Sequence, residues 1–306
     1  IACFISMAMG TSVGTVMVLV PIAVSVARSA SFNLPLCVSS VVGGAMFGDN
    51  LSFISDTTIA ATKTQGVEMK DKFYANFKIA LPAALITLVI LTVIALSGDS
   101  TDVGSYEYSI GLALPYFAVL ILALLGTNVF IVLGIGIILF CIMGALFGGL
   151  DFVSAFSAMG SGTAGMFETM IVTILVASIS SLMRENGGFE AILSFIRRLS
   201  GSKKGGMLGI CFLTALMDIS TANNTVAIVV AAPIAKTISS EYGIEAKKAA
   251  SLLDTVSCIF QGIIPYGAQL LIAASLSGVS GISLVPWLFY PFLLAVCVLV
   301  SIAVEK

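Results

Sequence analysis

Between Val129 and Phe147 no charged side chain interrupts the chain, and Ile79–Leu96, Ile110–Leu125 and Pro286–Val304 share that property. Met166–Leu182 joins them with Glu168 as its one charge. A helix needs roughly 20 apolar residues to cross the ~30 Å hydrocarbon core of a bilayer, and such runs have no stable place on the surface of a water-soluble fold. Composition agrees: of 306 residues 58% are hydrophobic and 10% charged, with a mean hydropathy of +1.12. The chain therefore reads as an all-α polytopic membrane protein, with room for about nine crossings or re-entrant pieces. The lipid bilayer is its first partner.

The same numbers exclude several classes. A net charge of -2 provides no basic field for nucleic acid. Cys3, Cys37, Cys141, Cys211, Cys258 and Cys297 lie within apolar stretches without CxxC spacing, and no histidine is present to share a metal, so they read as small core residues. There is no phosphate loop, which argues against ATP-driven transport within this chain, and the chain reads as a transporter and not an enzyme. The sequence opens at Ile1 inside an apolar run, without the basic leader of a signal peptide, and further sequence is expected before it.

Basic residues set the expected orientation, because positively charged loops stay cytoplasmic. Lys63, Lys70, Lys72 and Lys78 form one cluster, and Arg184, Arg197, Arg198, Lys203 and Lys204 a second, both read as cytoplasmic. The acidic stretch 98–109 is read as an external loop. Between 186 and 200, Phe189, Ile192, Leu193 and Ile196 recur at helical spacing opposite Glu190, Arg197 and Arg198, which predicts an interfacial helix.

Four apolar stretches are cut where a plain membrane helix would continue. Gly10-Thr11-Ser12-Val13-Gly14-Thr15 separates Ile1–Met9 from Val16–Ala27, and Asp218 to Thr225 separates Met207–Met217 from Val226–Ile238. Neither pair of arms is long enough to cross alone, so each reads as a re-entrant hairpin. Pro35–Phe47 runs into Gly48-Asp49-Asn50-Leu51-Ser52-Phe53-Ile54-Ser55-Asp56-Thr57-Thr58, and Ala246–Phe260 into Gln261 to Gln269, each reading as a discontinuous helix. Thr15-Val16-Met17-Val18 parallels Thr225-Val226-Ala227-Ile228, and Pro21-Ile22-Ala23 parallels Pro233-Ile234-Ala235. Leu51 to Ala61 lines up with Ile264 to Ala274, ending in Ile-Ala-Ala both times.

With the basic clusters inside, the two units run in opposite directions, which predicts inverted repeats. The first covers 1–97, with hairpin 1–28, broken helix 34–66 and span 79–97. The second covers 110–306, with spans 110–125, 129–147 and 166–183, hairpin 205–238, broken helix 245–277 and span 285–304. Many secondary transporters build a midplane site from such repeats, because irregular backbone at that depth must find partners. Helix packing through small polar residues is the plainer reading of an isolated Gly-Thr pair.

The run from Gly48 to Thr58 is too polar for packing alone. A carboxylate taken out of water needs either a proton or a cation, so competition at Asp49 and Asp56 suffices for antiport. Asn50, Ser52, Ser55, Thr57 and Thr58 add neutral oxygens, hard ligands suited to Na+, the one metal ion the set fits. Thr11, Ser12 and Thr15 at the first hairpin tip are candidate substrate residues, as are Asp218, Ser220, Thr221, Asn223, Asn224 and Thr225 at the second. Asp218 has a second reading as a helix cap. Gln261, Pro265 and Tyr266 mark the second break, with Asp254 nearby. No cofactor is called for beyond transported Na+ and H+; a small organic substrate and a second copy of the chain are further candidate partners.

The Gly48 to Thr58 run resembles the GDK-x-SPLSDTT signature of NhaC-type sodium/proton antiporters, and Met9 to Thr15 resembles their TGTSWGT. Asn50 stands where that family usually has Lys, Phe53 replaces Pro, Val13 replaces Trp, and Ile264-Pro265-Tyr266-Gly267 replaces IPWN. The resemblance implies Na+/H+ exchange across a bacterial cytoplasmic membrane and three helices before Ile1. Na+-coupled or proton-coupled exchange of a small carboxylate or amino acid is the alternative.

Overall fold

Short polar residues begin the helices and glycines end them. Helix α1 (Ala2–Met9) stops at Gly10, φ 70°, and α2 (Ser12–Ser29) starts at once, the Thr11 hydroxyl accepting the Gly14 N–H at 3.3 Å. Asn33 caps α3 (Leu34–Leu51), and Ser55 caps α4 (Asp56–Gln65), which ends at Gly66, φ 73°. Then follow α5 (Met69–Leu96), α6 (Ile110–Leu124), α7 (Val129–Phe147) and α8 (Phe152–Glu185). Ser202 caps α9 (Lys203–Thr221) and Asn223 caps α10 (Asn224–Tyr242). The chain closes with α11 (Ala246–Ile263), α12 (Ala268–Ser277), the short α13 (Gly281–Leu284), a 3-10 turn over Val285–Trp287, and α14 (Phe289–Ala303). This computed structural model describes residues 1–97, 110–125, 129–188, 191, 194–195 and 201–305, and no strand occurs among them. The expected external loop 98–109 and most of the expected interfacial helix 186–200 lie outside the described residues.

Five of the described helical passages are long and apolar enough to cross a bilayer, and the bent pair before and within α14 makes up to six. Several elements outrun the apolar runs. Helix α2 has 18 residues, and α9 and α10 have 19 each, about 27 and 28 Å at 1.5 Å per residue. These three arms are therefore near full membrane length, because Ser12, Thr15, Ser220, Thr221 and Thr225 continue the helices instead of ending them. Helix α5 starts at Met69, ten residues before the apolar run, since Lys70, Asp71 and Lys72 break hydropathy but not helix geometry. Asp151 accepts the Ser154 N–H at 2.7 Å and starts α8 well before Met166. The last span is not one rod: the segment through Trp287 meets α14 at 55°.

The described chain divides into two units, residues 1–103 with 180–306, and residues 104–179. In the smaller, α6 packs on α7, with Tyr116 edge-on to Phe140 at 4.7 Å. In the larger, the packing is reciprocal. Hairpin α1–α2 lies against broken helix α3–α4, and hairpin α9–α10 against broken helix α11–α12. Helix α2 packs on α12 as α10 packs on α4, and α3 touches α14 as α11 touches α5. Helices α3 and α11 meet, and so do α5 and α14. The broken helices form the centre: the most apolar windows of Leu34–Gln65 and Ala246–Ser277 are 72% and 61% buried, against 22% for Met69–Leu96. Helix α5 instead exposes Leu85, Leu88, Val89, Val93 and Leu96, an apolar face turned away from the core of this unit.

At one end of this unit the basic residues gather. Lys203 and Lys248 reach Glu305 at 3.5 and 3.6 Å, Lys236 reaches the Thr64 carbonyl at 3.5 Å, and Lys63 and Lys70 are exposed. Lys72, expected in that cluster, is instead fully buried. Of the six cysteines, none in a disulfide, Cys258 is buried and the other five are half-buried.

Helix α1 presses on α3 where Gly48 has no side chain. A methyl there would lie 2.5 Å from Ser6 Cβ and 2.7 Å from the Met7 nitrogen. Gly48→Ala is therefore expected to cost about 1–3 kcal/mol through forced separation of the two helices, read as a lower melting temperature of the purified protein.

Candidate functional site

Both broken helices part over four non-helical residues, of which the first and last are extended. Helix α3 gives way at Ser52 (φ -67°, ψ 144°) and α4 resumes after Ser55 (φ -67°, ψ 148°). Helix α11 gives way at Ile264 (φ -64°, ψ 116°), and α12 resumes after Gly267 (φ -72°, ψ 151°). Extended backbone at this depth exposes carbonyls and N–H groups that neighbouring side chains must satisfy. Ser52 donates to the Met7 carbonyl at 3.0 Å and accepts the Ile54 N–H at 3.2 Å. Thr58 donates to the Ser52 carbonyl at 2.8 Å, and Ser55 accepts the Thr58 N–H at 3.3 Å while lying 3.3 Å from the Asp49 carbonyl. Ser52, Ser55 and Thr58 thus hold the first break in shape.

Asp49 stands in the last turn of α3, 2% exposed. Its carboxylate accepts from three separate elements: Ser12 of α2 at 2.8 Å, Thr57 of α4 at 3.4 Å, and Asn224 of α10 at 3.5 Å. No basic side chain bonds to it among the described residues. Asp56, the first residue of α4, accepts the Thr225 hydroxyl at 2.6 Å and the Thr57 N–H at 3.0 Å. The tip of the second hairpin therefore bonds to both carboxylates of the first break.

The converse contact joins the first hairpin to the second break. Gln261 Nε2 donates to the Ala222 carbonyl at 3.0 Å and to Gln269 Oε1 at 2.8 Å. Gln269 Nε2 donates to Ser12 Oγ at 3.0 Å, and Ser12 donates on to Asp49. One line of hydrogen bonds thus runs from the second hairpin's turn through the second break to Asp49. Ala222 holds its place in that turn at φ 49°, a left-handed conformation that costs an alanine on the order of 1 kcal/mol.

Behind the carboxylates lies a third charged group. Lys72 and Asp254 are both fully buried and pair at 2.7 Å. Lys72 Nζ also donates to the Asn50 carbonyl at 2.9 Å and to Thr58 Oγ1 at 2.7 Å. Asn76 Nδ2 lies 2.5 Å from Asn50 Oδ1 and 2.7 Å from Asp254 Oδ2. Asn50 is thereby committed to this pair.

Other predicted residues play local parts. Thr11 and Asn223 cap helices, and Thr15 bonds back to the Thr11 carbonyl at 2.8 Å. Ser220 and Thr221 are exposed and donate to carbonyls one turn earlier in α9, at 2.7 and 2.8 Å. Pro265 lies in the second break, and the half-exposed Tyr266 donates to the Ile219 carbonyl at 2.8 Å. Asp218 is not a cap, since Asn223 fills that place. It is buried in the last turn of α9, and neither carboxylate oxygen has a hydrogen-bond partner among the described residues.

Lys72, Asn76, Asp254 and Gln269 enlarge the site beyond the residues predicted for it. A signal for the first two exists: 72, 76, 79, 80 and 83 are the buried face of one helix. Gln269 stands opposite Asp56 when the two breaks are aligned.

Comparison with known proteins bears on this arrangement. The model of the Na+/H+ antiporter family matches residues 1–96 and 102–304. A malate-2H+/Na+-lactate antiporter of Bacillus subtilis is 22% identical, covering 95% of this chain and 69% of the relative. An arginine/ornithine antiporter of Halobacterium salinarum is 23% identical, over 90% and 64%. The NhaC Na+/H+ antiporter of Bacillus subtilis is 24% identical, over 94% and 71%. The chain thus spans 64 to 71% of the length of these three relatives.

Proposed function

We propose, for a chain that belongs to the Na+/H+ antiporter family, that it exchanges Na+ for H+ and that both bind in turn at Asp49 and Asp56. Membership makes it a multi-pass membrane transporter. Its place is the cytoplasmic membrane of a bacterium, with the basic end that holds Lys63, Lys70, Lys203 and Lys248 inside. The observation that carries the reading is Asp49: a buried carboxylate whose side-chain partners among the described residues are hydroxyl and amide donors from three elements. An isolated buried charge costs several kcal/mol, so such a group is stable with a proton or with a bound cation, and exchange of one for the other is antiport. Thr57 and Thr225 hydroxyls and the Asn224 amide oxygen supply neutral ligands of the kind Na+ takes.

The reciprocal packing supports inverted repeats. Each hairpin tip contacts the other repeat's break, Thr225 on Asp56 and Ser12 on Gln269, so tilting one repeat against the other opens the site to either side in turn. No organic cofactor enters this scheme.

A second reading, exchange of a small carboxylate or amino acid, is favoured by the polar turn between α9 and α10, where Ser220 and Thr221 are exposed and Asn223 and Asn224 are half-buried at the N-terminus of α10. Proteoliposomes of the full-length protein with a pH dye inside decide between them. A Na+ gradient is expected to drive proton movement without organic substrate. Proton movement that requires added malate, lactate or arginine would replace the first reading by the second.

A further inference from the structure

Lys72 is a lysine where a metal ion would fit. Its ammonium stands among three oxygens, Asp254 Oδ2 at 2.7 Å, Thr58 Oγ1 at 2.7 Å and the Asn50 carbonyl at 2.9 Å, supplied by three helices other than its own. One is a carboxylate, one a hydroxyl and one a backbone carbonyl freed by the end of α3, the donor types that hold hard monovalent cations. Two more buried oxygens close by, Asp254 Oδ1 and Asn76 Oδ1, have no donor among the described residues, so the cluster offers more acceptors than Lys72 can fill. Two of the three ligands belong to the break that carries Asp49 and Asp56: Asn50 follows Asp49, and Thr58 lies two residues beyond Asp56.

We propose that Asp254, Asn50, Thr58 and Asn76 form a second site for a Na+-sized cation, occupied by the tethered ammonium of Lys72 in place of the ion. With Lys72 in position the pair is neutral, and the transported ion is confined to Asp49 and Asp56. Removing the ammonium opens the site to a metal ion from solution. The inference rests on the exchange reading in one respect, that the transported ion binds at Asp49 and Asp56, and its test is arranged so that the two fail separately.

The test counts radiolabelled Na+ bound by the purified full-length protein at alkaline pH in equilibrium dialysis. Lys72→Met is expected to bind one more Na+ per chain than the wild type, and Lys72→Met with Asp254→Asn to return to the wild-type number. The extra ion persists when Asp49→Asn is added to Lys72→Met, which separates this site from the exchange site. A folded Lys72→Met protein that binds no extra Na+ overturns the proposal. Should Lys72→Met be too unstable for dialysis, its melting temperature is compared in Na+ and in choline. Stabilisation by Na+ that the double variant lacks supports the site. Equal melting in both salts, or failure to fold in both, overturns it.

Discussion

Replacing Asp49 by Asn is expected to abolish Na+-driven proton movement in proteoliposomes while the protein still folds. Asn keeps the size of the side chain: its amide oxygen still accepts from Ser12 and Asn224, which share one oxygen of Asp49, and the NH2 that replaces the other can donate to the Thr57 hydroxyl, so the cost in stability is that of weakened charge-assisted bonds, about 1–2 kcal/mol. What disappears is the charge. A unit charge about 4 Å from a monovalent cation contributes on the order of 4 kcal/mol at an effective dielectric of 20, so Na+ affinity falls several hundredfold. The neutral amide also accepts no proton, so neither half of the exchange survives. Retained exchange in Asp49→Asn would remove Asp49 from the mechanism.

The largest expected loss of stability comes from Asp254→Asn. Lys72 and Asp254 are fully buried, and deleting one member leaves the other charge in a low-dielectric interior with only neutral acceptors. Breaking such a pair costs about 3–5 kcal/mol. Lys72→Met combined with Asp254→Asn removes both charges and is expected to recover most of that loss, a coupling that thermal melting of the four proteins measures as a double-mutant cycle. An Asp254→Asn protein as stable as the wild type would show that the buried pair is not held as described.

Hydropathy alone makes the breaks legible, because a run such as Gly48 to Thr58 has no reason to interrupt an apolar helix unless its polar groups are used. The residues Asp49, Asp56, Ser12, Asn224 and Thr225, named from that run and the hairpin tips, come together in space. Element lengths are less legible. Thr15 and Thr221 are polar yet satisfied by their own helices, so polarity marks helix ends several residues too early. Lys72 is hidden for a different reason: charge counting assigns a lysine near a loop to the membrane surface, and only its partner, 182 positions away on α11, explains its burial. Asp218 is visible as an acid within an apolar stretch, but that both its oxygens lack partners among the described residues is a fact of packing that composition does not reveal.

Competition between Na+ and H+ at Asp49 is the centre of the account, and the dependence of Na+ affinity on pH tests it most directly. Initial rates of exchange in proteoliposomes of the full-length protein, measured over a grid of Na+ concentration and pH, are expected to show KM for Na+ rising as pH falls, approaching about tenfold per pH unit, with the rate at saturating Na+ unchanged. A KM for Na+ that stays constant while the saturating rate falls with pH would contradict it, since proton and cation would then occupy different places.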